Sequence, residues 1–370
     1  MIVALSALAA LIWVLTALLP WQPWRTREVL ESNAQEQLDL SDITVVIPAR
    51  NEADVIAGTL HALMQQGWEL GIILVDDEST DNTVAVVQSL GLSNVQIINS
   101  KPLPEGWTGK LWAQEQGVQA VQTSLTLLLD ADIWVMPGMV SALKAKREAG
   151  GLQFVSLMAM LKVDSFWEKM LMPAFIYFFK MLYPFALANK PATKVAAAAG
   201  GCILVDTSAL HAIGGMAAIK SAVIDDCSLA RKIKQAGYKT WIGLTHGVIS
   251  QRPYRSLTEI WNMVARTAYT QLYYSISLLI ACTLIMTLMY LLPLYGLLYL
   301  SGIAWFFSAL ATLIMLGLYL PTLRFYALNR MWAFCMPVIA GLYLLMTWTS
   351  AIRYWQGERS RWKGRIYQKG

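Results

Sequence analysis

The run LLLDADI carries two carboxylates, Asp130 and Asp132, separated by one small residue at the end of a hydrophobic stretch. Left unpaired, carboxylates this close repel one another and hold their protons more tightly. A hard cation such as Mg²⁺ or Mn²⁺ relieves that repulsion and can neutralise a diphosphate at the same time. Asp130 and Asp132 are therefore candidate metal ligands, although a solvated Asp-x-Asp turn has the same spelling. Other acids follow hydrophobic runs in the same way: Glu52 in VVIPARNE, and Asp76 and Asp77 in VDDESTDNT. Carboxylates accept hydrogen bonds from a ribose hydroxyl or a base N–H, but they offer nothing to phosphate without a cation.

The elements that must position these groups are legible from Ile43 onward. ITVVIPA, GIILVDD, VQIINS and SLTLLLDAD are short buried-strand patterns separated by helix-length amphipathic segments. This alternation predicts an α/β fold, an open and mainly parallel sheet with helices on its faces. Ligands of such sheets collect at the carboxyl ends of the strands. Arg50, Asn51 and Glu52 follow the first strand, Asp76 and Asp77 the second, and Asp130 and Asp132 the fourth.

The chain has 370 residues, 56% hydrophobic and only 14% charged, so part of its apolar surface must face lipid. The apolar residues concentrate at the two ends. The stretch from Met1 to about Trp21 is long enough to cross a bilayer, and Arg25 and Arg27 follow at once, which predicts a signal anchor over residues 1–24 with the middle of the chain in the cytoplasm. A cleaved signal peptide is the alternative, but no basic region precedes the apolar core.

Residues 166–187 are also apolar, yet Glu168, Lys169 and Lys180 interrupt them and Pro173 breaks their regularity. A crossing there would separate Asp225 and Asp226 from Asp130 and Asp132, so an interfacial segment rich in aromatic rings is expected, with a helix of the soluble core as the alternative. Residues 276–352 divide at 293–302 and again at 324–330, giving about three membrane spans. Three spans leaving a cytoplasmic domain put the basic tail, 353–370, outside, against the positive-inside rule, so one span is expected to be interfacial or re-entrant.

The net charge of +5 lies in that tail, in Arg353, Arg359, Arg361, Lys363, Arg365 and Lys369, opposed only by Glu358. Basic residues beside an apolar helix meet anionic headgroups, and no nucleic-acid motif accompanies them. The four cysteines, Cys202, Cys227, Cys282 and Cys335, form neither a CxxC pair nor a disulfide framework.

VVIPARNE, VDDESTDNT and LLLDADI together resemble the family 2 glycosyltransferases over roughly residues 41–275. The resemblance implies a Rossmann-like GT-A nucleotide-sugar-binding domain over 41–255, an amphipathic interface helix over 256–275, and flanking transmembrane helices. By that resemblance Pro48, Ala49 and Glu52 line the nucleoside pocket, Asp77 receives the base, and Asp130 and Asp132 hold a divalent cation. IDDCSLARKIKQAGYK resembles the family's acidic pair ahead of a helix, with Asp226 at the position of the general base and Asp225 beside it; capping of the helix that starts near Cys227 suits the same acids.

PLPEGWTGKLWA, AAAAGGCILV and RPYRSLTEIWNMVARTAYTQLYYS further resemble the bacterial hopanoid-associated glycosyltransferases, relatives of ceramide glucosyltransferase. Within them, Gly106, Gly109 and Lys110 form either a flexible turn that brings a cation to the donor phosphate or a plain loop entering a helix. Gly200 and Gly201 allow close backbone approach beneath the donor sugar, or simply begin a strand. Arg266 stands where related enzymes carry Gln-x-x-Arg-Trp, but the Gln and the Trp are absent; Arg266 is the remaining candidate to neutralise a departing diphosphate.

The resemblance thus implies a multi-pass inner-membrane enzyme with its catalytic domain in the cytoplasm. It would move sugar from a nucleotide-sugar donor, a UDP-sugar, to a lipid acceptor such as a hopanoid or polyprenoid by inverting, metal-dependent transfer. A nucleotidyltransferase or a noncatalytic membrane component is the alternative. The first of these should show a glycine-rich phosphate loop near its first strand, which PARNEAD does not supply.

Overall fold

The computed structural model describes residues 1–32, 38–67, 69–362 and 365–368, with side chains described as far as residue 358. The positive charges of the tail beyond Arg353 therefore lie outside the described side chains. The chain divides into two units, an α/β unit (Glu28–Lys162 with Phe185–Pro253) and a helical unit (Met1–Arg27, Val163–Pro184 and Tyr254–Gly370).

The α/β unit is built on one eight-stranded sheet: β1 (Ile43–Ala49), β2 (Gly71–Asp76), β3 (Val95–Asn99), β4 (Leu125–Leu129), β5 (Ile133–Val135), β6 (Phe154–Met160), β7 (Cys202–Asp206) and β8 (Thr240–Ser250). Their spatial order is β3-β2-β1-β4-β7-β6-β8-β5. Every residue of β1 and of β4 is buried, as expected of central strands covered on both faces.

β3, β2, β1 and β4 run parallel, with Ala49 opposite Asp76 and Asp76 opposite Asn99, so their carboxyl ends share one edge. In the remainder β6 and β8 also pair in parallel, but β7 is antiparallel to both β4 and β6, and β5 is antiparallel to β8, so the sheet is mixed. The reason is visible in β7. It pairs Leu129 with Cys202, so the chain enters β7 where β4 ends and delivers Gly200 and Gly201 to the carboxyl edge. The ladder continues past β4, with the Asp130 N–H donating to the Gly201 carbonyl at 3.1 Å.

In the helical unit three helices are long and apolar enough to cross a membrane: Ile276–Tyr299, Gly302–Phe325 and Arg330–Trp355. Leu284, Leu298, Leu313, Val338 and Leu345 point outward and exposed from them, a surface that water would penalise and lipid would not. The first break falls at Leu300 and Ser301, inside the expected 293–302. Helix continues through Pro293 because a π-turn at Thr287–Leu291 immediately precedes it and absorbs the missing N–H.

A shorter apolar helix, Ile2–Leu18, joins these three through Trp13, whose indole N–H donates to the Met289 carbonyl at 2.8 Å. The helix Phe166–Leu182 opens with a reciprocal cap between Ser165 and Glu168. Its middle is buried by ring contacts of Tyr177 with Tyr319 and of Phe178 with Tyr290 and Tyr343. The expected 256–275 helix is two pieces, Leu257–Ala265 and Ala268–Gln271, the first again capped reciprocally, by Ser256 and Glu259.

Candidate active site

The loops leaving β1 and β2 are laced together. The Asp77 N–H donates to the Ala49 carbonyl at 2.8 Å, and the Asn51 N–H donates to Ser79 Oγ at 3.0 Å. The Thr80 N–H donates to Asn51 Oδ1 at 2.8 Å, and the Glu52 N–H to Thr83 Oγ1 at 2.8 Å. Arg50 fastens the same loops by donating to the carbonyls of Asp77 and Glu78. Asn51 (φ 53°) and Glu78 (φ 55°) both adopt left-handed backbone, a cost that this lacing offsets. Pro48, Ala49, Glu52 and Asp77 are thereby gathered at one end of the sheet, with Asp77 only 1% exposed.

A second group forms where β4, β7 and two helices meet. Lys110, in the first turn of the helix Gly109–Ala120, places its ammonium 2.7 Å from Asp130 and 3.7 Å from Asp225. Asp225 and Asp226 open the helix Asp225–Gln235. Asp226 accepts from the Gly200 N–H at 3.0 Å on one oxygen and from the Cys227 N–H at 2.7 Å on the other. Gly200 has little room for a side chain, since a Cβ there would lie 3.3 Å from Lys110 Nζ and 3.6 Å from Asp226 Cβ. Lys110, Gly200, Asp225 and Asp226 line one pocket.

Burial pushes the Asp226 carboxyl up to about 7, and the neighbouring Asp225 adds to the rise, while the Cys227 N–H, Lys110 and the Gly200 N–H work against it. Burial likewise raises Asp130; Lys110 opposes that rise and Asp132 reinforces it. For Lys110, burial would lower its proton affinity, but Asp130, Asp225 and Asp226 outweigh it and the ammonium is held more firmly charged than usual.

Asp132 belongs to a third set. It accepts from Arg252 Nε–H at 2.8 Å, and Arg252 Nη2–H reaches Glu52 Oε1 at 3.2 Å. Arg252 had no assigned role in the sequence analysis. An arginine in RPYRS carries no visible sign of its partners, and its place follows only from the pairing of β8 with β5. Gly201 packs on Ile133, where an added Cβ would meet Cδ1 at 3.2 Å. Gly106 takes φ 78° in the loop before Lys110. Arg266 belongs to the helical unit, exposed at the end of the helix Leu257–Ala265. Among the described residues no three His, Cys, Asp or Glu side chains converge to hold a metal by themselves.

Residues 44–214 match the model of glycosyl transferase family 2. This segment is similar to the family 2 glycosyltransferases. The 4,4'-diaponeurosporenoate glycosyltransferase of Staphylococcus aureus strain MRSA252 is 37% identical over 92 residues, 25% of this chain and 24% of that protein. The same enzyme of strain USA300 matches over the same 92 residues at the same 37%. The chain thus spans about a quarter of the length of these curated relatives.

Among solved structures, a mannosyltransferase of Pyrobaculum calidifontis, in complex with GDP-Man and Mn²⁺, superposes with a TM-score of 0.61 at 16% identity, covering 95% of this chain and 99% of that one. The fold is therefore GT-A. In the α/β unit the acids expected to bind donor and cation stand at the carboxyl ends of β1, β2 and β4, with the Asp225–Asp226 pair near Asp130 through Lys110.

Proposed function

We propose that this protein transfers a sugar from a nucleoside-diphosphate donor to a lipid acceptor at the membrane, with inversion at the anomeric carbon. The observation that carries this reading is the convergence of Lys110, Gly200, Asp225 and Asp226 on one pocket, with Asp130 held 2.7 Å from the Lys110 ammonium. In this reading Pro48, Ala49, Glu52 and Asp77 hold the nucleoside, and Gly200 and Gly201 give the donor sugar close access to backbone. The acceptor is a hopanoid or another polyprenoid lipid; a relative named for glycosylating diaponeurosporenoate and three apolar helices support that choice. A UDP-sugar is the proposed donor. The α/β unit is proposed to lie on the cytoplasmic side of the inner membrane.

Asp226 acts as the base. An inverting transfer needs one carboxylate to take the acceptor hydroxyl's proton as that oxygen attacks from the face opposite the leaving nucleotide. A carboxyl raised to about 7 is a stronger proton acceptor than an ordinary aspartate and is still largely ionised just above neutrality. The two backbone N–H donors fix its orientation. Lys110, beside both carboxylate pairs, offers positive charge to the departing diphosphate.

The donor set fits a divalent cation. Asp130 and Asp132 supply hard oxygens from one strand end, and Mg²⁺ characteristically takes one or two protein carboxylates and completes its shell with substrate phosphate and water. Such a cation, Mg²⁺ or Mn²⁺, would neutralise charge on the diphosphate. The P. calidifontis neighbour was solved with GDP-Man and Mn²⁺, which supports this choice.

The test is purified protein offered a panel of nucleotide sugars and extracted lipids, with and without Mg²⁺ or Mn²⁺, and mass analysis of the products. A glycolipid that forms only with the cation is expected, and Asp130→Asn and Asp132→Asn should each abolish it. Undiminished transfer in chelator would overturn the cation assignment, and sugar transfer confined to water-soluble acceptors would overturn the lipid.

A further inference from the structure

Arg252 is held more firmly than a surface arginine. The last paired residues of β5 and β8 are Ile133 and Ser250, and the Gln251 N–H then donates to the Asp132 carbonyl at 2.8 Å. The Gln251 side chain packs tightly on the helix Ile56–Met64, where a Cβ added to Gly58 would lie 3.1 Å from Gln251 Nε2. The guanidinium that follows is a fork across two loops, Nε–H on Asp132 and Nη2–H on Glu52. Both acids are largely withdrawn from water, their side chains 15% and 11% exposed. At the same strand end Lys110 takes one oxygen of Asp130. Four carboxylates, on Glu52, Asp130, Asp132 and Asp225, are thus set against two resident cations, Arg252 and Lys110.

We propose that Arg252 is a positioning residue that makes divalent-cation binding conditional on the donor. It occupies Oδ2 of Asp132, which leaves that aspartate one oxygen for a metal, and its other arm on Glu52 fixes where the guanidinium sits. A free dication meets the guanidinium and the Lys110 ammonium as like charges and binds weakly. A nucleoside diphosphate brings the negative charge that offsets both, so cation and donor bind as a unit. Lysine cannot replace this fork, because an ammonium is a point charge that does not hold two carboxylates in a fixed plane. This inference rests on Asp130 and Asp132 being the cation ligands.

The experiment is a titration of the full-length protein in detergent with Mn²⁺, following free Mn²⁺ by electron paramagnetic resonance, alone and with UDP or GDP present. Wild type should bind Mn²⁺ weakly alone and much more tightly with the nucleotide. Arg252→Met should tighten nucleotide-free Mn²⁺ binding by roughly tenfold or more, since a like charge is gone and Oδ2 of Asp132 is released. It should also shrink the effect of the nucleotide.

A folded Arg252→Met protein, monodisperse on size exclusion, with unchanged nucleotide-free affinity would overturn the proposal. If that variant does not fold, Arg252→Lys decides, with smaller tightening expected and none overturning it. Asp132→Asn separates this inference from the reading beneath it. If Asp132→Asn leaves Mn²⁺ binding with nucleotide intact, the cation assignment itself fails; if it removes that binding while Arg252→Met changes nothing, only the role of Arg252 fails.

Discussion

Asp225 and Asp226 are adjacent in sequence but differ in what holds them, and the difference fixes what each substitution should do. Asp226 has a backbone N–H on each oxygen, whereas Asp225 faces Lys110. Asp226→Asn should leave donor binding near wild type and reduce kcat by about 10²–10⁴, the loss expected of a missing general base, measured by single-turnover transfer beside nucleotide titration. The pH dependence has a definite sign. The base works ionised, so the rate should rise with pH through about 7, the value to which burial lifts Asp226. Asp225 contributes to that lift, so Asp225→Asn should move the acidic limb of the pH–rate profile to lower pH. A limb that stays put or moves upward would show that Asp226 is not the titrating base. The spelling IDDCSLA made both acids visible as a pair, but nothing in it showed that backbone donors from Gly200 and Cys227 single one of them out. Arg252 was hidden more completely, since both carboxylates it joins are far away in sequence.

The elements that bring these residues together were legible in unequal measure. β1, β2 and β4 are unbroken apolar runs that stop at charged residues, and such runs belong to central strands buried on both faces. β5 has three residues, and β8 carries Thr, His and Gly within its length, so neither has a periodicity to read. Helix positions depend on close packing as much as on pattern. Gly117, within Gly109–Ala120, lies so near the sheet that a Cβ would come 2.4 Å from Val46 Cγ1 and 3.1 Å from Val75 Cγ2. Gly117→Ala should therefore push away the helix that carries Lys110, costing about 1–3 kcal/mol in stability as overpacked sites do. Because Lys110 moves with the helix, transfer should fall by more than loss of folded protein explains. Thermal unfolding in detergent and specific activity per folded molecule check the two effects, and a variant as stable and as active as wild type would contradict the packing argument. The reciprocal cap of Phe166–Leu182 allows a parallel test. Glu168 is 1% exposed and accepts from the N–H groups of Asp164, Ser165 and Tyr254, so Glu168→Ala strips the acceptor from three part-buried hydrogen bonds. The expected cost is at least the ~1 kcal/mol of a lost cap, read from the same unfolding measurement.

At the scale of the whole chain, the sheet constrains how the membrane can be crossed. The segment Phe166–Leu182 lies between β6 and β7, and these strands are hydrogen-bonded neighbours, with Phe154 opposite Val205 and Ser156 opposite Ile203. A chain that leaves a sheet at β6 and rejoins it at β7 must end on the side from which it started, so one passage of Phe166–Leu182 through a bilayer is incompatible with this pairing. Seventeen residues, with Pro173 within them and Glu168 and Lys180 both buried, give no room for a return passage. The aromatic residues Phe166 and Trp167 at its start, Phe166 being exposed, suit a boundary where rings are dry and polar atoms wet. We therefore propose that this helix lies at the membrane boundary. Composition alone left a helix buried in the soluble core as the alternative, because burial of an apolar helix by protein and by lipid reads alike in sequence. Single cysteines at Ser124, just before β4, and at Ser221, in the loop ahead of the helix Asp225–Gln235, probe the two flanks. A cysteine-free background is needed first, since Cys202, Cys227, Cys282 and Cys335 are all free thiols. With a membrane-impermeant maleimide both new positions should label in inverted vesicles and neither in intact cells, which would set the α/β unit on the cytoplasmic side. Labelling of both from outside would keep the sheet intact and reverse the orientation. Labelling of the two from opposite faces would require β6 and β7 to be parted by a bilayer, and the carboxylate pairs Asp130–Asp132 and Asp225–Asp226 could not then serve one reaction.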